Sequence, residues 1–115
     1  MERTVYDSNI QDVVDLARIT GFEWDAGNRG KNLRHSVSDA EAEQIFFGEP
    51  LLIVIDVSHS ETEPRFHALG RTVASRRLHV TFTLRGDGAL IRVISARDMH
   101  RKERTVYEDK AQENT

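Results

Sequence analysis

The groups in this sequence that could act on a phosphodiester are guanidinium forks, imidazoles and a few carboxylates. Most of them sit in the second half of the chain. Arg65, Arg85, Arg92, Arg97 and Arg104 offer planar donor sets that match phosphate oxygens. Arginine stays protonated at any physiological pH, so abstraction of a ribose 2′-hydroxyl proton would fall to another group. The candidates are His59, Glu61, Glu63, His79, His100, Glu103 and Tyr107. Each has a plainer reading as well: His59 as a solvated loop residue, Glu103 and Arg104 as surface helix charges, Tyr107 as a half-buried anchor.

Charge is divided unevenly. Residues 1–63 hold 5 Lys+Arg against 13 Asp+Glu, whereas residues 64–115 hold 11 against 6, within a net charge of -3. An arginine-rich half suits a polyanion such as RNA, and the competing reading is a solvated charged face. The absence of cysteine excludes disulfides, thiolate zinc sites and a cysteine nucleophile. Histidines at 35, 59, 67, 79 and 100 show no HExxH or similar spacing, so neither a metal nor any other cofactor is expected. The N-terminus lacks a secretory pattern, and the longest aliphatic run, Leu51 to Ile55, is too short to cross a bilayer. A cytoplasmic protein with no membrane contact is the expectation.

These residues need elements to hold them. One domain over residues 1–115 is expected, with 1–20 an additional N-terminal helix capped by Ser8 and stopped at Gly21. FEWD at 22–25 reads as a short strand, 29–35 as a short helix, and Ser38 with Glu41 as a capping box opening a helix with Ala42, Ile45 and Phe46 inward. LLIVIDV reads as a strand covered on both sides. Arg65 to Arg71 is another, and Arg77 to Arg85 alternates with Leu78, Val80, Phe82 and Leu84 on one face and Arg77, His79, Thr81, Thr83 and Arg85 on a wet one. Gly86 to Gly88 turns into a strand at 90–96, completing an antiparallel meander, and Asp98 would cap a C-terminal helix. The fold class is therefore α+β, a small antiparallel sheet with N-terminal helices on one face and a C-terminal helix. Arg92 and Arg97 lie an odd number of positions apart, so an unbroken strand would point them to opposite faces. The pentapeptide ERTVY occurs at both 2–6 and 103–107.

FEWD at 22–25, the GN, KN and RH elements within 27–35, EAEQIFF at 41–47, HS at 59–60 with Glu63 and Arg65, FTLRG at 82–86 and IRVISARDMHRKERTVYE at 91–108 together resemble the BrnT family of bacterial toxins over 22–108. Two positions depart from the family pattern: Ser36 stands where glycine is common, and Phe82 where tyrosine is common. The resemblance implies a RelE/ParE-like fold and a metal-independent ribonuclease that inhibits translation. It also implies neutralisation by a DNA-binding BrnA-type antitoxin in a hetero-oligomer. Carried over by position, the matching polar residues are His59, Glu63, Arg65, Arg85, Arg92, Ser95, Arg97, Glu103, Arg104 and Tyr107. Of these, His59, Glu63, Arg65, Arg97 and Tyr107 are expected to be catalytic, with His59 or Glu63 as the base, and Arg85, Arg92 and Arg104 to hold RNA phosphates. The competing expectations are a non-enzymatic toxin that occupies a protein target or the ribosome, and a degenerate toxin retained for its antitoxin contact.

Overall fold

A computed structural model describes residues 4–6, 14–59 and 62–113. Six strands form one sheet: β1 (Thr4–Tyr6), β2 (Gly21–Phe22), β3 (Leu51–Ile55), β4 (Phe66–Arg71), β5 (Arg77–Arg85) and β6 (Leu90–Asp98), in the spatial order β1-β3-β4-β5-β6-β2. The expected antiparallel meander is its centre, since β3–β4, β4–β5 and β5–β6 all pair antiparallel. The outermost pairs, β1 on β3 and β2 on β6, are parallel, so the sheet as a whole is mixed. Two helices complete the class, α1 (Asp39–Gln44) and α2 (Arg101–Glu113).

The alternation of β5 decides which side is core. Leu78, Val80 and Phe82 are buried against Ile45, Phe46, Ile53, Phe66, Ile91 and Val93. α1 closes this side, and its Ser38 hydroxyl and Glu41 carboxylate form the reciprocal capping box that the sequence announces. Phe82, with no exposure, belongs to this core. The opposite side is less wet than expected: His79 is buried beside the C-terminal helix, Thr81 is buried beside His67, and Thr83 is buried with its hydroxyl donating to Pro64 O at 2.6 Å. There Leu52, Leu69, Met99 and Tyr107 form a second, smaller cluster.

Several local expectations need correction. Among the described residues of the expected N-terminal helix, Thr4–Tyr6 are strand and Leu16–Arg18 form a 3-10 turn. Its proposed cap Ser8 and the residues Ile10, Gln11 and Val13 lie outside the described residues. Gly21 opens a strand instead of ending a helix, and that strand stops at Phe22, short of Asp25. The short helix at 29–35 is a 3-10 helix over Lys31–His35. Asp98 ends β6 rather than capping α2, and its carboxylate takes Arg76 at 2.7 Å. The residues TVY are extended at 4–6 and helical at 105–107. Pairing with β3 in one case and continuation of an α-helix in the other override a shared local propensity.

The most consequential feature is a β-bulge in β6. Thr81 pairs with Ser95 while Phe82 pairs with Val93, so Ile94 is an extra residue without a partner on β5. Its effect is a change of phase. Arg92 pairs with Thr83 and Arg97 with His79, two positions of equal parity on β5, so both arginines point to the α2 side. Beyond Ile91, β2 no longer covers the outer edge of β6, and two buried asparagines take its place. Asn28 Nδ2 donates to Val93 O at 2.9 Å, and Ala96 N donates to Asn32 Oδ1 at 2.9 Å. The backbone groups flanking the bulge are thus satisfied by side chains.

Candidate RNA-binding and catalytic site

The α2 side of the sheet carries a polar strip that runs along β5 and β6. At one end, Arg85 meets Glu63 at 3.1 Å and Glu23 at 3.6 Å, and Arg92 meets Glu23 and Asp25 at 2.9 Å each. Gly27 makes room for that cluster, since a Cβ there would stand 2.8 Å from Arg92 Nη2. Arg92 and the Gly27 amide hold the Asp25 carboxyl below its ordinary value. Arg85 and Arg92 are therefore held by carboxylates of the N-terminal half before any anion arrives.

In the middle lie Thr81, Ser95 and His67. His67 Nε2 is 3.1 Å from Asp56 Oδ2, and His67 Nδ1 is 2.9 Å from Thr81 Oγ1. A carboxylate can only accept, so Nε2 donates to Asp56, and in the tautomer whose only proton is on Nε2 the Nδ1 lone pair accepts from the threonine hydroxyl. Asp56 is buried and also accepts from Ser58 Oγ at 2.9 Å. The His67 ring lies against that of His79, with centroids 4.7 Å apart.

At the far end the sheet meets α2. Arg97 Nη1 and Nη2 donate to the two Glu103 oxygens at 2.8 and 3.0 Å, and the His100 amide donates to Glu103 Oε1 at 2.8 Å. Burial would raise the Glu103 carboxyl, but the Arg97 fork and the His100 amide outweigh it and bring it down to about 2. Glu103 is therefore an anchor for Arg97 rather than a proton acceptor. Burial, reinforced by the positive charge of Arg97, pushes His79 down to about 4, so this ring is neutral at pH 7. A cavity of about 380 Å³ opens here, lined by Val54, His67, Leu69, His79, His100, Lys102, Glu103 and Val106.

The structure thus brings Arg85, Arg92, Arg97 and Glu63 onto one strip, and places Arg65 two positions before His67 at the head of β4. Two expected site residues lie elsewhere. Tyr107 is 1 % exposed, and its hydroxyl donates to Pro50 O at 2.6 Å, so its side chain anchors α2 within the smaller apolar cluster. Arg104 lies on the other flank of α2, where it lines a cavity with Arg77, Arg101, Thr105, Glu108 and Asp109, and its Nη1 donates to Met99 O. His59 closes a 3-10 turn after β3, and its side chain lies outside the described residues. His67 was not among the candidate bases read from the sequence. The signal was its partner Asp56, just past the end of the neighbouring strand β3.

Among the described residues, no group of three or more His, Asp or Glu side chains could hold a metal ion, and no helix is long and apolar enough to cross a membrane. The family described as "Ribonuclease toxin, BrnT, of type II toxin-antitoxin system" matches residues 24–103, from Trp24 to the Glu103 that holds Arg97. The chain belongs to the BrnT family of ribonuclease toxins. No curated protein matches it significantly. BrnT membership implies an RNA target and a protein antitoxin as partner. The matched segment contains the strip except Glu23, the bulge and the two asparagines that support it.

Proposed function

We propose that this BrnT toxin cleaves RNA without a metal, by attack of a ribose 2′-hydroxyl on the adjacent phosphate, and that it thereby inhibits translation in the cytoplasm. One observation carries the reading: the bulge at Ile94 turns Arg92 and Arg97 to the same face as Arg85, His67 and His79. RNA lies along the strip, with Arg85 and Arg92 on backbone phosphates and Arg97 at the reacting one, where charge grows on the non-bridging oxygens. The 2′-hydroxyl gives its proton to His67 Nδ1, in place of the Thr81 hydroxyl that occupies that lone pair in the free protein, and Asp56 stabilises the resulting imidazolium. As the new oxygen–phosphorus bond forms, the bond to the 5′-oxygen breaks and that oxygen takes a proton from solvent. His59, in the turn beside Asp56, is the competing base. Glu63 serves the strip through Arg85.

The carboxylates on Arg85 and Arg92 bear on this reading. Glu23, Asp25 and Glu63 are partly exposed and hold the forks open toward the surface, so phosphates exchange for carboxylates rather than finding bare cations. The same neutralisation favours a second reading, a toxin that occupies a protein surface without cleaving RNA. A BrnA-type, DNA-binding antitoxin is the proposed partner in either case.

Incubation of purified protein with RNA in excess chelator separates the readings. The expected products carry 2′,3′-cyclic phosphate and 5′-hydroxyl ends, and Arg97→Ala slows their formation by roughly 10²–10³-fold, the usual effect of losing one charge-stabilising donor. Intact RNA, or equal cleavage by Arg97→Ala, refutes the proposal.

A further inference from the structure

We infer that the cavity between α2 and the β3–β4–β5 face receives one unpaired nucleobase of the RNA, so that this site selects its substrate by a base as well as by the backbone. The inference rests on the reading of the strip as an RNA site and adds a subsite to it. At about 380 Å³ the cavity is in the size range of small-ligand pockets, and it has their composition, apolar walls with a few convergent polar groups.

Val54 and Leu69 come from adjacent strands and Val106 from the helix, giving apolar surface on both sides. Val106 remains 43 % exposed although it faces this opening, an apolar side chain left at a mouth without a cover among the described residues. His67 adds an aromatic surface of the kind unpaired bases stack on. His79 behind it is neutral at pH 7, so the inner end of the cavity holds an uncharged ring that does not repel a heterocycle.

Charge identifies the occupant. Lys102 and Glu103 line the cavity and Arg97 lies behind Glu103, so two cations and one carboxylate leave a net positive edge, where a ligand whose apolar part enters the cavity would place an anionic part. A nucleotide has that division, a flat ring on one side and a phosphate on the other. A purely apolar side chain from a protein partner would leave Lys102 and the strip beyond it unanswered. The position also fits the proposed chemistry, because a base held beside His67 brings its own ribose to that imidazole.

The test uses short 2′-O-methyl oligoribonucleotides, which cannot supply the nucleophile, and the same oligomers with one abasic position. Binding is followed by NMR at the His67 and His79 rings and the Val54, Leu69 and Val106 methyls. One abasic position is expected to erase these shifts and weaken binding roughly tenfold, the effect of one lost stack. Val106→Phe, at an exposed position, should fill the mouth and weaken the intact oligomer similarly with little change in Tm. Equal binding of every abasic oligomer, shifts confined to the arginine strip, or unchanged affinity of Val106→Phe overturns the inference. Displacement of the oligomer's methyl shifts by a purified antitoxin does not rescue it if the oligomer itself gives none. Base-dependent shifts in a protein that leaves RNA intact would refute cleavage and keep the pocket, whereas cleavage without such shifts would do the reverse.

Discussion

Arg97 and Glu103 are joined by two parallel hydrogen bonds, and the same carboxylate caps the start of α2 through the His100 amide. One side chain thus fixes both the direction of the guanidinium and the register of the helix that covers it. Glu103→Ala should lower stability by about 1–3 kcal/mol, because a charge-assisted pair and a helix cap disappear together. It should also slow RNA cleavage, since Arg97 loses its support. Glu103→Gln retains an acceptor for the His100 amide and should recover most of the stability. Thermal unfolding alongside a cleavage assay checks both, and a stable, fully active Glu103→Ala protein would contradict the assignment.

Acid sensitivity should come in two windows. His79 titrates at about 4 in the fold against 6.5 in a free chain, so between those values the unfolded chain binds the extra proton. Stability from the neutral ring is complete above pH 6.5 and falls as pH drops toward 4. Glu103, at about 2 against 4.5, adds stability that is complete above 4.5 and is lost toward 2. The groups facing His79 are Arg97, Glu103 and His67. Urea midpoints measured from pH 8 to 3 should show both limbs, and His79→Val should flatten the upper one only.

Tyr107→Phe discriminates an anchor from a catalyst. Loss of the hydrogen bond to Pro50 O should destabilise by about 1 kcal/mol. Cleavage per folded molecule should be unchanged. A large fall in rate with unchanged stability would restore Tyr107 to the chemistry.

Glu63→Gln removes the nearer of the two carboxylates on Arg85, leaving Glu23 at 3.6 Å, so RNA should bind severalfold more tightly at low salt, and the gain should shrink as salt rises. Arg92→Ala should weaken binding and reduce the slope of log affinity on log salt by roughly 0.7, one single-strand phosphate contact. Filter binding across a salt series reads both, and weaker binding by Glu63→Gln would count against the strip.

Ser36 occupies a left-handed conformation, φ 59 and ψ 31, at the end of the Lys31–His35 turn. It is there that the sequence departs from a common glycine. An L side chain in this region is strained by about 1–2 kcal/mol, partly offset by the greater freedom of glycine in the unfolded chain. Ser36→Gly should therefore raise stability by about 0.5–1 kcal/mol, measurable as a higher Tm without change in cleavage.

What could be read in advance was whatever depended on neighbours in sequence. The Ser38–Glu41 capping box and the alternation of Leu78, Val80 and Phe82 are local, and both are in place. The bulge was not legible, because Ile94 looks like any other strand residue and only the pairing of Thr81 and Phe82 makes it extra. Nor was the full burial of Tyr107, which depends on where α2 comes to rest, or that of Thr83, whose hydroxyl meets Pro64 O from the loop before β4. His67 stood out only as one of five histidines without metal spacing, and Asp56 reaches it only once β3 and β4 pair. The resemblance located the correct segment and could not say which of its arginines would share a side.

The supernumerary Ile94 means that the count of residues in this strand carries information its chemistry does not. Removing Ile94 itself would leave Val93 opposite Phe82 and Ser95 opposite Thr81 in an unbroken ladder, with Arg92 and Arg97 an even number of positions apart and still on one side. Keeping the odd spacing but straightening the kink would instead send one of the two guanidiniums inward, so the extra residue and the spacing are matched to each other.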